Sequence, residues 1–228
     1  MREAIYTPSI YKELKKYLSD TKIESIKQST NSAYYTPELL IKFIWSMLSR
    51  LGFKGGDILE PGVGIGSFLD HIPTDIKDNS KIDAVEMDLL TSQILAKKYE
   101  DLTISCTGFE NLNYGNKKYD PVILNPPYSS QLVEDIYYKD LSHLAIYHFF
   151  VAKSARLLKE GGIIAMVLPQ FFLDNVKDHA REIITSNGVN LLAAYRLPDN
   201  LFDCAKIIVD IVFYKKQTRR YHGRKRAI

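Results

Sequence analysis

Apolar residues along this chain come in short runs, separated by longer stretches in which they recur every third or fourth position. The first 30 residues carry spaced apolar positions among charges, and 9–28 predict an exposed, charged helix. After the turn "NSAYYTP", helical spacing from Pro37 to about Leu51 predicts a second helix, with proline at its first position. Strands and helices then alternate. "DILE" reads as a strand, "SFLDHI" as a helix after a glycine loop, "IDAVEM" as a strand and "LLTSQILAKKYE" as a helix. "LTISC" and "YDPVILN" are strands, with Pro121 near the start of the second, where a missing N–H is tolerated. Residues 129–142 are polar and irregular. "LAIYHFFVAKSARLLKE" has helical spacing and is closed by Gly161-Gly162; "IIAMVLP" is a strand and 176–187 a helix. "VNLLAAYRL" and "KIIVDIVFYKK" complete seven strands.

Such alternation predicts an α/β fold: a doubly wound, seven-stranded, mostly parallel sheet with helices on both faces. The last two strands are joined by about ten residues without a helical pattern, too few for a parallel crossover, so they should form an antiparallel hairpin. Binding then belongs at the carboxyl ends of the strands. The expected organisation is an N-terminal helical extension over 1–30, one catalytic-size domain over 31–216, and a basic tail over 217–228.

Composition narrows the function classes. The chain has 228 residues, 46% hydrophobic and 25% charged, as in a soluble globule of one sizeable domain. No apolar run is long enough to span a bilayer, and "MREAIYTPSIYKELKK" is not a signal peptide, so no membrane partner is expected. Cys106 and Cys204 make no metal-ligand spacing; a reducing cytoplasm and no metal are expected. A net charge of +3 does not identify a polyanion partner, although five of the last ten residues are Arg or Lys.

Two motifs carry chemistry. In "DILEPGVGIGSFL", Gly62, Gly64 and Gly66 sit between a strand and a helix, where glycine allows a sharp turn and close approach to a ligand. Glu86 ends the next strand, placed to accept both hydroxyls of a ribose. The GxGxG spacing differs from the GxGxxG of dinucleotide binders, and the Glu60 carboxylate would repel a pyrophosphate. It suits a nucleoside cofactor carrying positive charge, such as S-adenosylmethionine; a dinucleotide and a purely structural turn stay open at this point. In "VILNPPYSS", a strand ends on Asn125-Pro126-Pro127-Tyr128. The Asn125 side-chain carbonyl and the Pro126 backbone carbonyl offer two acceptors for an exocyclic amino group. The prolines stiffen the angle between them, and Tyr128 offers a face for a planar substrate.

Taken in order, "AYYTP" (33–37), "LEPGVGIGSF" (59–68), "VEMD" (85–88) and "NPPY" (125–128) resemble the gamma class of DNA adenine-N6 methyltransferases. The resemblance extends over "FFVAKSARLLKEGGIIAMVLP" and "RLPDNLFDCAKIIVDIVFYKK", roughly residues 30–216. It implies S-adenosylmethionine as cofactor and DNA as partner, with the target adenine flipped into the site. By the same resemblance Tyr35, Thr36 and Glu60 surround the cofactor's methionine end, and Gly62 and Gly64 line its middle. Glu86 holds its ribose, Met87 and Phe109 sandwich its adenine, and Phe150 lies at the adenine's edge or at the back of the pocket. Asn125, Pro126, Pro127 and Tyr128 form the catalytic set, and Phe202 faces Tyr128 across the target base; for Phe150 and Phe202 ordinary core packing is the alternative.

Two departures stand out. Where the family has an acid before the aromatic of its third cofactor motif, this chain has Gly108; Glu110 or Asn111 must substitute, or cofactor affinity is weak. Family members also carry a target-recognition domain, whereas here about a dozen residues follow the last strand. A separate specificity subunit or domain is therefore an expected partner. Related enzymes with the same tetrad methylate glutamine or an RNA guanine, but they lack the Tyr35-Thr36-Pro37 element. A non-catalytic binding module is the remaining alternative.

Overall fold

The computed structural model describes residues 8–21, 23, 36–198 and 208–218. Helix α1 (Pro8–Leu14) ends in a turn, so a continuous helix over 9–28 is not what forms. Helix α2 (Glu38–Arg50) follows Pro37 and buries the stripe Leu40, Ile41, Ile44, Trp45 and Leu48. The Trp45 indole N–H donates to the Phe68 carbonyl at 3.0 Å, tying α2 to the short helix α3 (Ser67–Asp70) that follows strand β1 (Asp57–Pro61). Then come α4 (Thr74–Lys77), β2 (Lys81–Glu86), α5 (Leu89–Lys98), β3 (Thr103–Cys106) and β4 (Tyr119–Leu124). Helix α6 (Ile146–Leu157), β5 (Leu158–Pro169), α7 (Phe171–Asp174), α8 (His179–Ser186), β6 (Val189–Arg196) and β7 (Val209–Lys216) complete the order.

The seven strands make one sheet in the order β3-β2-β1-β4-β5-β7-β6. All pairs are parallel except those of β7, which runs antiparallel to both β5 and β6. Successive residues of the central strands feed opposite faces: Ile58, Ile123, Ala165 and Val167 pack beneath α2, while Leu59, Val122, Leu124 and Met166 pack beneath α6 and α8. Burial on both faces explains the unbroken apolar runs that mark these strands in the sequence.

The glycine pair Gly161-Gly162 does not close α6. The helix ends at Leu157, and Leu158 is already paired with Tyr119 on β4. The register then jumps to Pro121 opposite Ile163, so residues 159–162 stand against Asp120 alone. At this bulge Gly161 adopts φ +77°, and a Cβ on Gly162 would lie 2.9–3.0 Å from the Lys159, Asp120 and Tyr119 carbonyls. Pro121 pairs with Ile163 directly after the bulge, and its ring nitrogen faces β1, where pairing is confined to Leu59 opposite Val122 and a missing N–H is tolerated. Lys159 clamps the bulge through Asp57 and Asp120, each at 2.7 Å.

Candidate active site

Strand order reverses direction between β1 and β4, and at their carboxyl ends opens a cavity of ≈ 560 Å³. Of the residues singled out in the sequence, Thr36, Glu60, Gly62, Gly64, Glu86, Met87, Phe109, Phe150, Asn125, Pro126 and Pro127 line this one cavity. Tyr35 and Phe202 lie outside the described residues.

The glycine loop curls back over β2, with the Gly62 and Val63 N–H groups donating to the Val85 carbonyl at 2.9 and 3.0 Å. Glu86 holds the next turn: one carboxylate oxygen accepts the Gly64 N–H (2.9 Å) and the other the Asp88 N–H (2.8 Å). A carboxylate has about four lone-pair sites, so acceptor capacity remains for a ligand hydroxyl. Burial raises the Glu86 pKa while these backbone bonds pull it down. Gly66, at φ +82°, presses against Tyr99, whose hydroxyl donates to Asp70 at 2.6 Å and lies 3.1 Å from the Gly66 carbonyl. Neither Tyr99 nor Asp70 was signalled by the sequence, because the contact depends on how α5 lies on the loop.

Glu60 is 3% exposed, and no donor bonds its carboxyl among the described residues. Burial, reinforced by the nearby Asp70 charge, pushes its pKa well above the usual carboxylate range. The charged form of a buried acid on a cavity wall is stabilised by an arriving cation or hydrogen-bond donor.

On the β3 side, Phe109 (1% exposed) packs tilted against Phe150 at 5.1 Å between centroids. Phe150 also sits beneath the glycine loop, 3.4 Å from where a Gly62 Cβ would be. Met87, 74% exposed, stands at the rim. The Glu110 side chain folds back over Gly108: a Cβ there would lie 2.5 Å from Glu110 Cδ. Its carboxylate accepts from Asn111 Nδ2 at 3.1 Å. Glu110, Thr107 and Ile146 are cavity-lining residues that the sequence motifs did not mark for this wall, although Glu110 was one of two alternatives to the missing acid.

The Asn125 amide is held on both sides. Its Nδ2 donates to Thr36 Oγ1 at 3.0 Å, and its Oδ1 lies 2.7 Å from the Tyr128 hydroxyl. That hydroxyl is also 2.7 Å from the Val167 carbonyl, so one hydrogen is shared by two acceptors. The register explains why. Gln170 N–H bonds the Ile208 carbonyl, and bonded and non-bonded pairs alternate along the β5–β7 ladder. Val167 is three residues back, so its backbone groups turn away from β7 toward β4. With Leu124 opposite Met166, the donor owed to the Val167 carbonyl belongs to residue 126, which is a proline. The Tyr128 hydroxyl fills the place of the missing N–H. The Tyr128 ring accordingly packs against the apolar face beneath α2 and is not among the residues lining the cavity.

Among the described residues no group of three or more His, Cys, Asp or Glu is placed to hold a metal ion, and no helix is long and apolar enough to cross a membrane.

The family model described as Eco57I restriction-modification methylase matches residues 17–196. The chain is 23% identical over 193 residues to Defense against restriction protein B of Escherichia phage P1, covering 81% of this chain and 8% of that protein. It is 27% identical over 150 residues to Modification methylase CviBIII of Paramecium bursaria Chlorella virus NC1A, covering 63% of this chain and 39% of the relative. The chain thus spans well under half the length of these relatives. A type I restriction-modification methyltransferase subunit from Streptococcus thermophilus shares the fold, with TM-score 0.65 and 17% identity over 92% of this chain and 53% of that one.

Proposed function

Because the chain belongs to the Eco57I restriction-modification methylase family, we propose that it transfers a methyl group from S-adenosylmethionine to the N6 amino group of adenine in DNA. The observation that carries this reading is Asn125. Its amide stands on the wall of the cavity that also holds Glu60 and Glu86, at the end of a strand stiffened by Pro126 and Pro127.

The cavity fits the cofactor by its donor set. Glu60, buried and without a hydrogen-bond donor among the described residues, complements a cation. Glu86 keeps acceptor capacity for the ribose hydroxyls, and Phe109 with Met87 offers apolar contact for a purine. Tyr35 and Thr36 complete the methionine end in this reading. Glu110, lying where the side chain of residue 108 would be, takes the place of the acid that Gly108 lacks and accepts from the cofactor's adenine amino group.

When bound, the cofactor supplies a methyl carbon made electrophilic by its sulfonium. On the substrate side, Asn125 Oδ1 and the Pro126 carbonyl accept the two N–H bonds of the exocyclic amine. This draws its lone pair out of conjugation and aims it at the methyl carbon. The proton that the amine would shed on methylation is held between Asn125 Oδ1 and the Pro126 carbonyl until it passes to solvent. The target reaches the cavity by flipping, at a cost of a few kcal/mol. Tyr128 and Phe202 form the two faces for the flipped base, which requires the Tyr128 ring to turn from its place beside Val167. The catalytic unit is residues 31–216, acting in the cytoplasm with a separate specificity subunit or domain that reads base edges in a groove.

Asn125→Ala tests the assignment. Methyl transfer should fall on the order of 10²–10³-fold, as for loss of one well-aimed polar group, with the cofactor dissociation constant nearly unchanged. Transfer at the parent rate would overturn it.

A further inference from the structure

Lys153 lies on α6 at 0% exposure. Its ammonium donates to the Phe109 carbonyl (2.7 Å), the Leu112 carbonyl (3.0 Å) and Asp135 Oδ2 (2.7 Å). These three bonds use all three of its hydrogens. The rings of Tyr138, Phe109, Phe149 and Tyr114 surround it at 4.7–5.8 Å. Its partners belong to two separate segments. Phe109 and Leu112 bracket the 3-10 turn that walls the cavity on the β3 side. Asp135 organises the lobe 131–146, which follows Tyr128 and brings Ile146 to the cavity. The other Asp135 oxygen accepts the Tyr137 and Tyr138 N–H groups at 2.8 Å, and its own N–H donates to Ser142 Oγ at 3.0 Å.

Besides this pair, the lobe is held by Leu141 and Leu144 in the core, the Leu132–Ala145 bridge and the Arg156–Asp140 ion pair. Leu132, Ile136 and Tyr137 are 61%, 67% and 48% exposed, and Val133 and Asp135 are what it buries before Leu141. A fully buried ion pair is a poor source of stability, since desolvation offsets the attraction and apolar replacements often match it. What such a pair does supply is fixed geometry between the two segments it joins.

We propose that Lys153 is a positioning residue that locks the cofactor-side turn 109–112 to the lobe 131–146 beside the catalytic strand end, so that filling the cofactor pocket orders the lobe. The proposal rests on the reading of the cavity as a cofactor site. Contacts of a purine with Phe109 steady the turn whose carbonyls hold Lys153, and Lys153 in turn steadies Asp135 and the 137–142 backbone.

Amide hydrogen exchange of the unaltered protein, with and without S-adenosylmethionine, reads this directly. Exchange should slow both at 109–112 and at 137–142 when cofactor is added. Protection confined to 109–112 would overturn the lock while leaving the cofactor reading intact; no binding at all would overturn both. The double variant Lys153→Met/Asp135→Leu supplies the second readout. The expected result is a melting temperature several degrees below the parent's, because the Phe109 and Leu112 carbonyls and the Tyr137 and Tyr138 N–H groups lose their partners. Cofactor KM should rise about tenfold, as is typical of coupled sites, with kcat largely recovered at saturation and 137–142 no longer responding to cofactor. A folded double variant with parental KM and intact coupling would overturn the proposal. If that variant fails to fold, the exchange pattern of the unaltered protein decides.

Discussion

Replacing Tyr128 by Phe removes one oxygen and keeps the ring, which separates the two tasks assigned to this residue. Val167 is 0% exposed, and its carbonyl faces β4 at the level where Pro126 has no hydrogen to give. Without the hydroxyl that acceptor loses its 2.7 Å donor. A buried polar group left unpaired costs roughly 1–3 kcal/mol, and each kcal/mol lowers the melting temperature by about 2–4 °C at this chain length. Calorimetry of Tyr128→Phe should therefore show a fall of several degrees. Activity should respond differently. The hydroxyl also competes for Asn125 Oδ1 at 2.7 Å, the acceptor proposed for the substrate amine. Removing a competitor worth about 0.5–1.5 kcal/mol favours target binding, so methyl transfer at saturating cofactor should stay within tenfold of the parent. Tyr128→Ala removes the ring as well and should lose about 1–3 kcal/mol of base stacking. An unchanged melting temperature in Tyr128→Phe would refute the hydroxyl as substitute ladder donor.

Glu60→Gln should stabilise the cofactor-free protein at neutral pH while weakening cofactor binding. Burial raises the folded-state pKa of Glu60, so the folded protein holds a proton that the unfolded chain has released. Its contribution to stability therefore declines as pH rises from the unfolded value toward the raised one. Denaturation at several pH values should show that decline in the parent and not in the variant, and cofactor affinity should rise across the same interval as Glu60 becomes charged. Glu110→Ala should raise the cofactor dissociation constant, measured by calorimetry, and Gly108→Asp alone should do so too, because Glu110 fills that space. Combining the two should recover part of the affinity; a double variant worse than either single one would contradict the substitution of one acid for the other. A mismatch opposite the target adenine should tighten DNA binding by relieving the flipping cost, and equal affinity for paired and mismatched duplexes would count against flipping.

Much of the fold was legible because its strands are buried on both faces and its glycines punctuate it. The antiparallel end of the sheet followed from the short, patternless connection between β6 and β7. Gly161-Gly162 misled because helical spacing continues to their edge; only the pairing of Leu158 with Tyr119 shows that the strand has begun. Glu60, Glu86 and Asn125 were readable as residues of one cavity, since an acid beside a glycine loop, an acid ending the next strand and an amide before two prolines mark neighbouring strand ends. The Tyr128–Val167 bond could not be read, because it depends on which carbonyls of β5 face β4. Lys153 left a faint signal, a lone cation inside the apolar stretch "FFVAKSARLL", but its partners come from segments far apart in the chain.

The central claim is the destination of the methyl group. The most direct measurement incubates the protein with methyl-labelled S-adenosylmethionine and long DNA, RNA and protein in parallel, then digests each product to nucleosides or amino acids for mass spectrometry. The account predicts label in N6-methyladenine from DNA, at low efficiency and with little sequence preference without a recognition partner. Label in RNA guanine or in protein glutamine, with none in DNA adenine, would contradict it.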